Sequence, residues 1–165
     1  MEKPAVFAEE FRRQLEKGMI QQGYRLVFDI LSRTRISLES GKSGLSVSKS
    51  LYHGYMDMSY FAVTTRSLDS RKLKIAVVFN YGSFRFEIWL SAANKAIQKK
   101  YWTLLKSTGY SAHPLVSNPE GQDSILEKHL EGNMDFNDPA AMADRIAAET
   151  VDFIEDIEGF LELND

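Results

Sequence analysis

Between residues 52 and 91 the chain alternates through three runs, YHGYMDMSYFAVTT, KLKIAVVFN and SFRFEIWLS. A period of two sends successive side chains to opposite faces of a sheet. One phase collects Met56, Met58, Tyr60 and Ala62, then Ile75, Val77 and Phe79, then Phe84, Phe86, Ile88 and Leu90, and is assigned to the core. The other phase collects Tyr55, Asp57 and Ser59, then Lys74, Ala76, Val78 and Asn80, then Arg85, Glu87, Trp89 and Ser91. It mixes charge with aromatic surface. Pairing as a meander would gather Tyr55, Asp57, Ser59, Arg85, Glu87 and Trp89 on one surface. That assignment depends on register, because a slip of one residue exchanges the faces of a strand.

Helical spacing brackets these strands. Phe7, Phe11 and Leu15 recur at four-residue steps and predict a helix over 5–17, stopped by Gly18. Ile20, Tyr24, Val27, Ile30 or Leu31, and Leu38 mark a second helix over 19–39. Residues 40–50, SGKSGLSVSKS, read as a loop. RSLDSR joins the first two strands, and YGS turns the second into the third. Asn94 caps a helix that turns Ile97, Tyr101, Leu104 and Leu105 inward and Lys95, Lys99, Lys100 and Lys106 outward. Pro114 and Pro119 forbid a continuous element after it, and residues 123–130 are assigned a fourth strand. Asp138 followed by Pro139 opens the last helix, with Ala143, Ile146, Thr150, Ile154, Ile157 and Leu161 as its stripe. The expected fold is α+β: a mainly antiparallel three- to four-stranded sheet with two N-terminal helices, one helix after strand three, and a long C-terminal helix.

Composition narrows the class. With 165 residues, of which 44% are hydrophobic, the chain is expected to form one domain, 1–165, with a sizeable core. The absence of cysteine excludes disulfides, thiolate metal sites and cysteine nucleophiles, and fits a reducing compartment. No run approaches the length of a membrane span, and the first residues are charged, so a soluble cytoplasmic protein without a membrane partner is expected.

The net charge of −3 conceals a strong polarity: residues 66–106 carry nine basic and two acidic side chains, residues 120–165 two and fourteen. Either the basic part meets an anionic partner, or the two parts screen one another within the fold, which is the expected arrangement. The row Lys95, Lys99, Lys100 and Lys106, interleaved with Tyr101 and Trp102, is a pattern that tracks phosphates. The sequence pI of about 5.7 argues against a dedicated nucleic-acid binder.

Catalytic motifs are missing. His53, His113 and His129 lack metal-ligand spacing, and the sequence has no G-x-S-x-G, P-loop or H-E-x-x-H. No cofactor is expected. Trp89, Tyr55 and Tyr52 read either as aromatic walls of a ligand site or as packing beneath the 40–50 loop. Asp57 and Glu87 read either as a pair of metal ligands or as cross-strand partners of Arg85 and Lys74.

GYMDMSYF, KLKIAVVF and FRFEIWLSAANKAIQKKYW, together with the closing FIEDIEGFL, resemble an uncharacterised bacterial family defined only as a domain of unknown function, over about residues 5 to 162. The resemblance implies a small cytosolic bacterial protein of no assigned activity. More distantly, acid-bearing strands followed by a helix are similar to restriction-endonuclease-like folds, which hold a divalent metal with an aspartate on one strand and an acid-x-lysine triplet on the next. That likeness implies Asp57 as the first acid and Glu87 as the second. The triplet here reads Glu87-Ile88-Trp89, with tryptophan in the lysine position. The expected function is therefore a noncatalytic binding or interaction domain that presents the mixed face to a small molecule or a protein. A degenerate metal-dependent nuclease-like enzyme is the alternative.

Overall fold

Alternating short polar turns and apolar runs make a sheet whose spatial order repeats its chain order. A computed structural model describes residues 3–132 and 134–165. Helices α1 (Pro4–Glu16) and α2 (Met19–Ser40) are followed by strands β1 (Ser46–Val47) and β2 (Met58–Thr64). Helix α3 (Arg66–Ser70), strands β3 (Leu73–Asn80) and β4 (Arg85–Ala92), helix α4 (Lys95–Ser107), strand β5 (Ser124–His129) and helix α5 (Pro139–Asn164) complete the order. Each strand pairs antiparallel with the next, giving a five-stranded sheet. The α+β class is as expected, with one strand more than the highest number read from the sequence.

The helix ends follow local chemistry. Asn94 accepts the Ile97 amide at 3.0 Å, and Asp138 accepts that of Ala141 at 3.0 Å. Both satisfy N–H groups that a first helical turn leaves free. Gly18, at φ 71°, reverses the chain between α1 and α2, a conformation that costs glycine nothing sterically. RSLDSR, read as a bare connection, winds into α3 because Thr65 accepts the Leu68 amide at 3.1 Å. The loop assigned to 40–50 contains β1, whose Ser46 and Val47 pair with Thr64 and Val63.

Register fixes the faces. Phe61 opposes Val77, which opposes Ile88; Val63 opposes Ile75, which opposes Leu90. These side chains are almost wholly buried, in one cluster with Val27, Ile30 and Leu31 of α2, Tyr101 and Leu105 of α4, and Ile146, Phe153 and Ile154 of α5. The helices therefore cover one face of the sheet. All six residues predicted for the stripe of α5 are buried.

The structure corrects the predicted phase of the first long strand. Ser59, Phe61 and Val63 point to the helices, whereas Met58, Tyr60 and Ala62 lie half-buried on the opposite face. The period does not run back through residues 54–57: Gly54 and Met56 have φ of 75° and 60°, and regular strand begins only at Met58. Met56 and Phe84, read as core, are 56% and 63% exposed. Phe84 occupies the left-handed region, φ 52°, at the end of the β3–β4 turn, so alternation does not reach it. Phe7 and Phe11 share a face of α1 as predicted, but that face is solvent-exposed.

The basic segment 66–106 meets the acidic C-terminal segment at Asp165, whose side chain receives Arg71 at 2.9 Å and Lys100 at 3.2 Å. Acidic α5 also pairs with Lys42 through Glu155 and with Lys128 through Glu149, both at 2.6 Å, cations outside that basic segment. No helix is long and apolar enough to cross a membrane, among the described residues.

Candidate functional site

The face of the sheet turned away from the helices carries a second cluster, formed by Ala76, Val78 and Trp89 with Met58 and Tyr60 against them. Among the described residues no helical side chain joins it. Val78 is nonetheless wholly buried and Trp89 is 8% exposed, because the large side chains on these strands cover one another. Register adds Glu127 opposite Trp89 and His129 opposite Glu87.

Glu87 organises this face. It is 2% exposed, and an ionised carboxylate so placed needs donors. Oε1 accepts from Arg85 Nε at 2.8 Å and from Ser83 Oγ at 3.0 Å, and Oε2 accepts from Trp89 Nε1 at 2.8 Å. Burial pushes its pKa upward, but the bonds from Arg85, Trp89 and Ser83, with the nearby His129, outweigh it and hold the group below the usual glutamate range. Residues 85, 87 and 89 lie two apart on one strand and so share a face. Glu87 thereby fixes the indole of Trp89 over Ala76 and Val78.

Beside Trp89 is a cleft of about 230 Å³ whose walls include Met58, Tyr60 and Val78 and whose polar groups are Lys74, Ser91 and Asp123. Across β4, Glu127 Oε1 accepts from Ser124 Oγ at 2.6 Å, and its Oε2 lies 3.1 Å from His129 Nε2. Potential ligand atoms of Glu87, Glu127 and His129 all fall within 4.8 Å of one another.

Three of the six predicted site residues, Arg85, Glu87 and Trp89, are brought together. The other three are not. Ser59 lies on the helix-covered face, where its Oγ is 2.9 Å from Tyr81 Oη and donates to the His53 carbonyl. Tyr55 is 93% exposed in the segment before β2. Asp57 lies there too, exposed, with Oδ1 accepting the Tyr55 amide at 2.8 Å. Backbone N–H groups, that of Tyr55 foremost, hold its carboxyl below the ordinary aspartate value. The predicted Asp57–Glu87 metal pair is therefore not assembled: Asp57 closes a turn ahead of the strand, while Glu87 is committed to Arg85, Trp89 and Ser83. Tyr52 does reach the open face, its ring 5.0 Å from that of Tyr60.

The 52–57 segment has its own constraint. A Cβ on Gly54 would lie 1.8 Å from the Met58 carbonyl oxygen and 2.8 Å from Asp57 Oδ1, at φ 75°. Gly54→Ala is expected to lower stability by about 1–2 kcal/mol, since both the left-handed backbone and the clash must be relieved by moving a surface segment. Thermal melting checks this, and a melting point equal to wild type contradicts the turn geometry.

Sequence reasoning missed Glu127, His129 and Tyr60. The first two had a signal: Glu127-Lys128-His129 alternates, and Lys128, between them, turns to α5.

A model of the family described as Domain of unknown function (DUF7000) matches residues 6–161. The chain belongs to that family. No curated protein and no solved structure matches it. The family likeness read from the sequence is thus confirmed, and no comparison supports the nuclease likeness.

Proposed function

We propose that this protein is a noncatalytic interaction domain that presents the open face of its sheet to a protein partner. The observation that carries this reading is the aromatic centre of that face, which no helical side chain joins among the described residues: half-buried Tyr60 and Met58 beside Trp89, which Glu87 fixes, with Lys74, Arg85, Glu127 and His129 around them. An aromatic centre within a polar surround is the anatomy of an interaction surface. The cleft beside Trp89, about 230 Å³, falls below the roughly 300–1,000 Å³ of drug-sized ligand sites and suits one inserted side chain better.

Ala62→Glu tests this. Ala62 is half-buried on the open face, opposite Ala76, so a carboxylate there obstructs docking. A partner captured quantitatively by wild type and by an α1 control, Lys17→Glu, is expected to be lost by Ala62→Glu that remains folded by circular dichroism. Equal capture by all three proteins refutes the open face as the interface.

The gathering of Glu87, Glu127 and His129 favours a second reading, a divalent-cation site, because two carboxylates and an imidazole are a common transition-metal set. Against it, Arg85 already supplies Glu87 with a cation. Millimolar manganese or zinc is expected to leave the melting temperature unchanged. Stabilisation that disappears in His129→Asn would move the function to metal binding.

A further inference from the structure

The lysine row on α4 is not absorbed by the open face, and the structure divides it. Lys100 is drawn away to Asp165, so the cations no longer form a continuous track. Lys95, Lys99 and Trp102, at steps of four and three, share one side of the helix and face the loop 118–121 across a cavity of about 460 Å³. This is twice the volume of the cleft beside Trp89 and within the range of small-molecule sites.

We propose that this cavity binds a small planar aromatic anion of the nucleoside monophosphate class. Trp102 supplies a rigid aromatic wall: its Nε1 donates to the Val116 carbonyl at 2.8 Å, and the Lys106 ammonium sits 4.5 Å from its ring centroid. Pro119 provides apolar surface on the facing loop. Lys95 donates to the Gln122 carbonyl and is thereby held at the cavity, whereas Lys99 has no hydrogen bond or ion pair among the described residues and remains available to an anion. The single carboxylate in the lining, Glu120, is outnumbered by the two lysines, so the site favours negative charge. A ring stacked on a fixed indole, with phosphate at Lys99, satisfies both halves of the cavity. A polymer is disfavoured because the track ends at Lys100 and the loop 118–121 bounds the cavity.

The test is a titration of the full chain with adenosine 5′-monophosphate, followed by amide and indole N–H correlation spectra, with Trp102→Phe used to assign the two indole signals. The expected result is saturable movement of the Trp102 indole and of the 118–121 amides together, with Trp89 unmoved. Adenosine alone and inorganic phosphate alone should each bind more weakly than the nucleotide, and Lys99→Gln should weaken nucleotide binding by up to about fivefold, the upper range for one exposed ionic contact. Glu120→Gln should tighten binding. No saturable movement at about 5 mM nucleotide, a concentration at which even a millimolar complex is mostly formed, would overturn the proposal. So would movement confined to lysine-bearing turns without Trp102, or undiminished binding by Lys99→Gln.

Discussion

Phe61→Ala is expected to destabilise the fold by about 3–5 kcal/mol, the cost of truncating a buried aromatic side chain and leaving a cavity. Phe61 is 1% exposed, opposes Val77, and belongs to the core shared with α2 and α5. Its chain neighbour provides the comparison. Tyr60 lies half-buried on the open face against Tyr52, and Tyr60→Ala is expected to cost only roughly 1 kcal/mol, the scale of a single aromatic pair. Urea unfolding of the two variants measures both numbers. A Tyr60 variant that loses as much stability as the Phe61 variant would show the phase of β2 to be wrong, and with it the composition of the open face.

Removing the Glu87 carboxylate has the second large effect. In Glu87→Ala the Trp89 N–H loses its acceptor in a buried place and Arg85 loses its counter-charge. Arg85 is 37% exposed and so regains water, which limits the loss to roughly 2–4 kcal/mol, below the full cost of breaking a wholly buried pair. Acid behaviour separates charge from shape. The folded pKa of Glu87 is depressed, so its contribution is complete above the unfolded glutamate value and disappears as pH falls through the lower folded value. Wild type should therefore lose more stability than Glu87→Gln on acidification below the usual glutamate pKa. Parallel stability curves for the two proteins across that window would mean that Glu87 is not held ionised by its donors.

Much of the architecture was legible because it is written locally. The caps at Asn94 and Asp138, the turn at Gly18 and the stripe of α5 each depend on residues within a few positions of one another. The phase of β2 was not, for two physical reasons. Both of its faces carry large apolar side chains, Phe61 and Val63 on one and Met58 and Tyr60 on the other, so hydrophobicity alone cannot rank them. The polar residue in the inward phase, Ser59, finds its partners in Tyr81 and the His53 carbonyl, which no strand period reveals. Arg85, Glu87 and Trp89 were legible as a site because one strand carries all three. Glu127 and His129 come from the far side of the α4 excursion and join them only through the β4–β5 register. The left-handed backbone at Met56 and Phe84 went unseen because glycine or asparagine usually announces it.

The order of the strands has a consequence for how the chain reaches this state. Every strand pairs with its predecessor, so β2–β3 and β3–β4 close across only residues 65–72 and 81–84. Loop-closure entropy rises with the logarithm of the separation, and these are the least costly pairings available to the chain. Helices α2 and α5, which pack on each other over the sheet, start at residues 19 and 139 and bear the largest such penalty. Their docking buries Phe61, Ile75 and Ile88, the common apolar surface that the central hairpins present. The search for the native state is thus short-range in the β2–β4 meander, longer for β5, which meets β4 only across residues 93–123, and longest where α2 packs against α5.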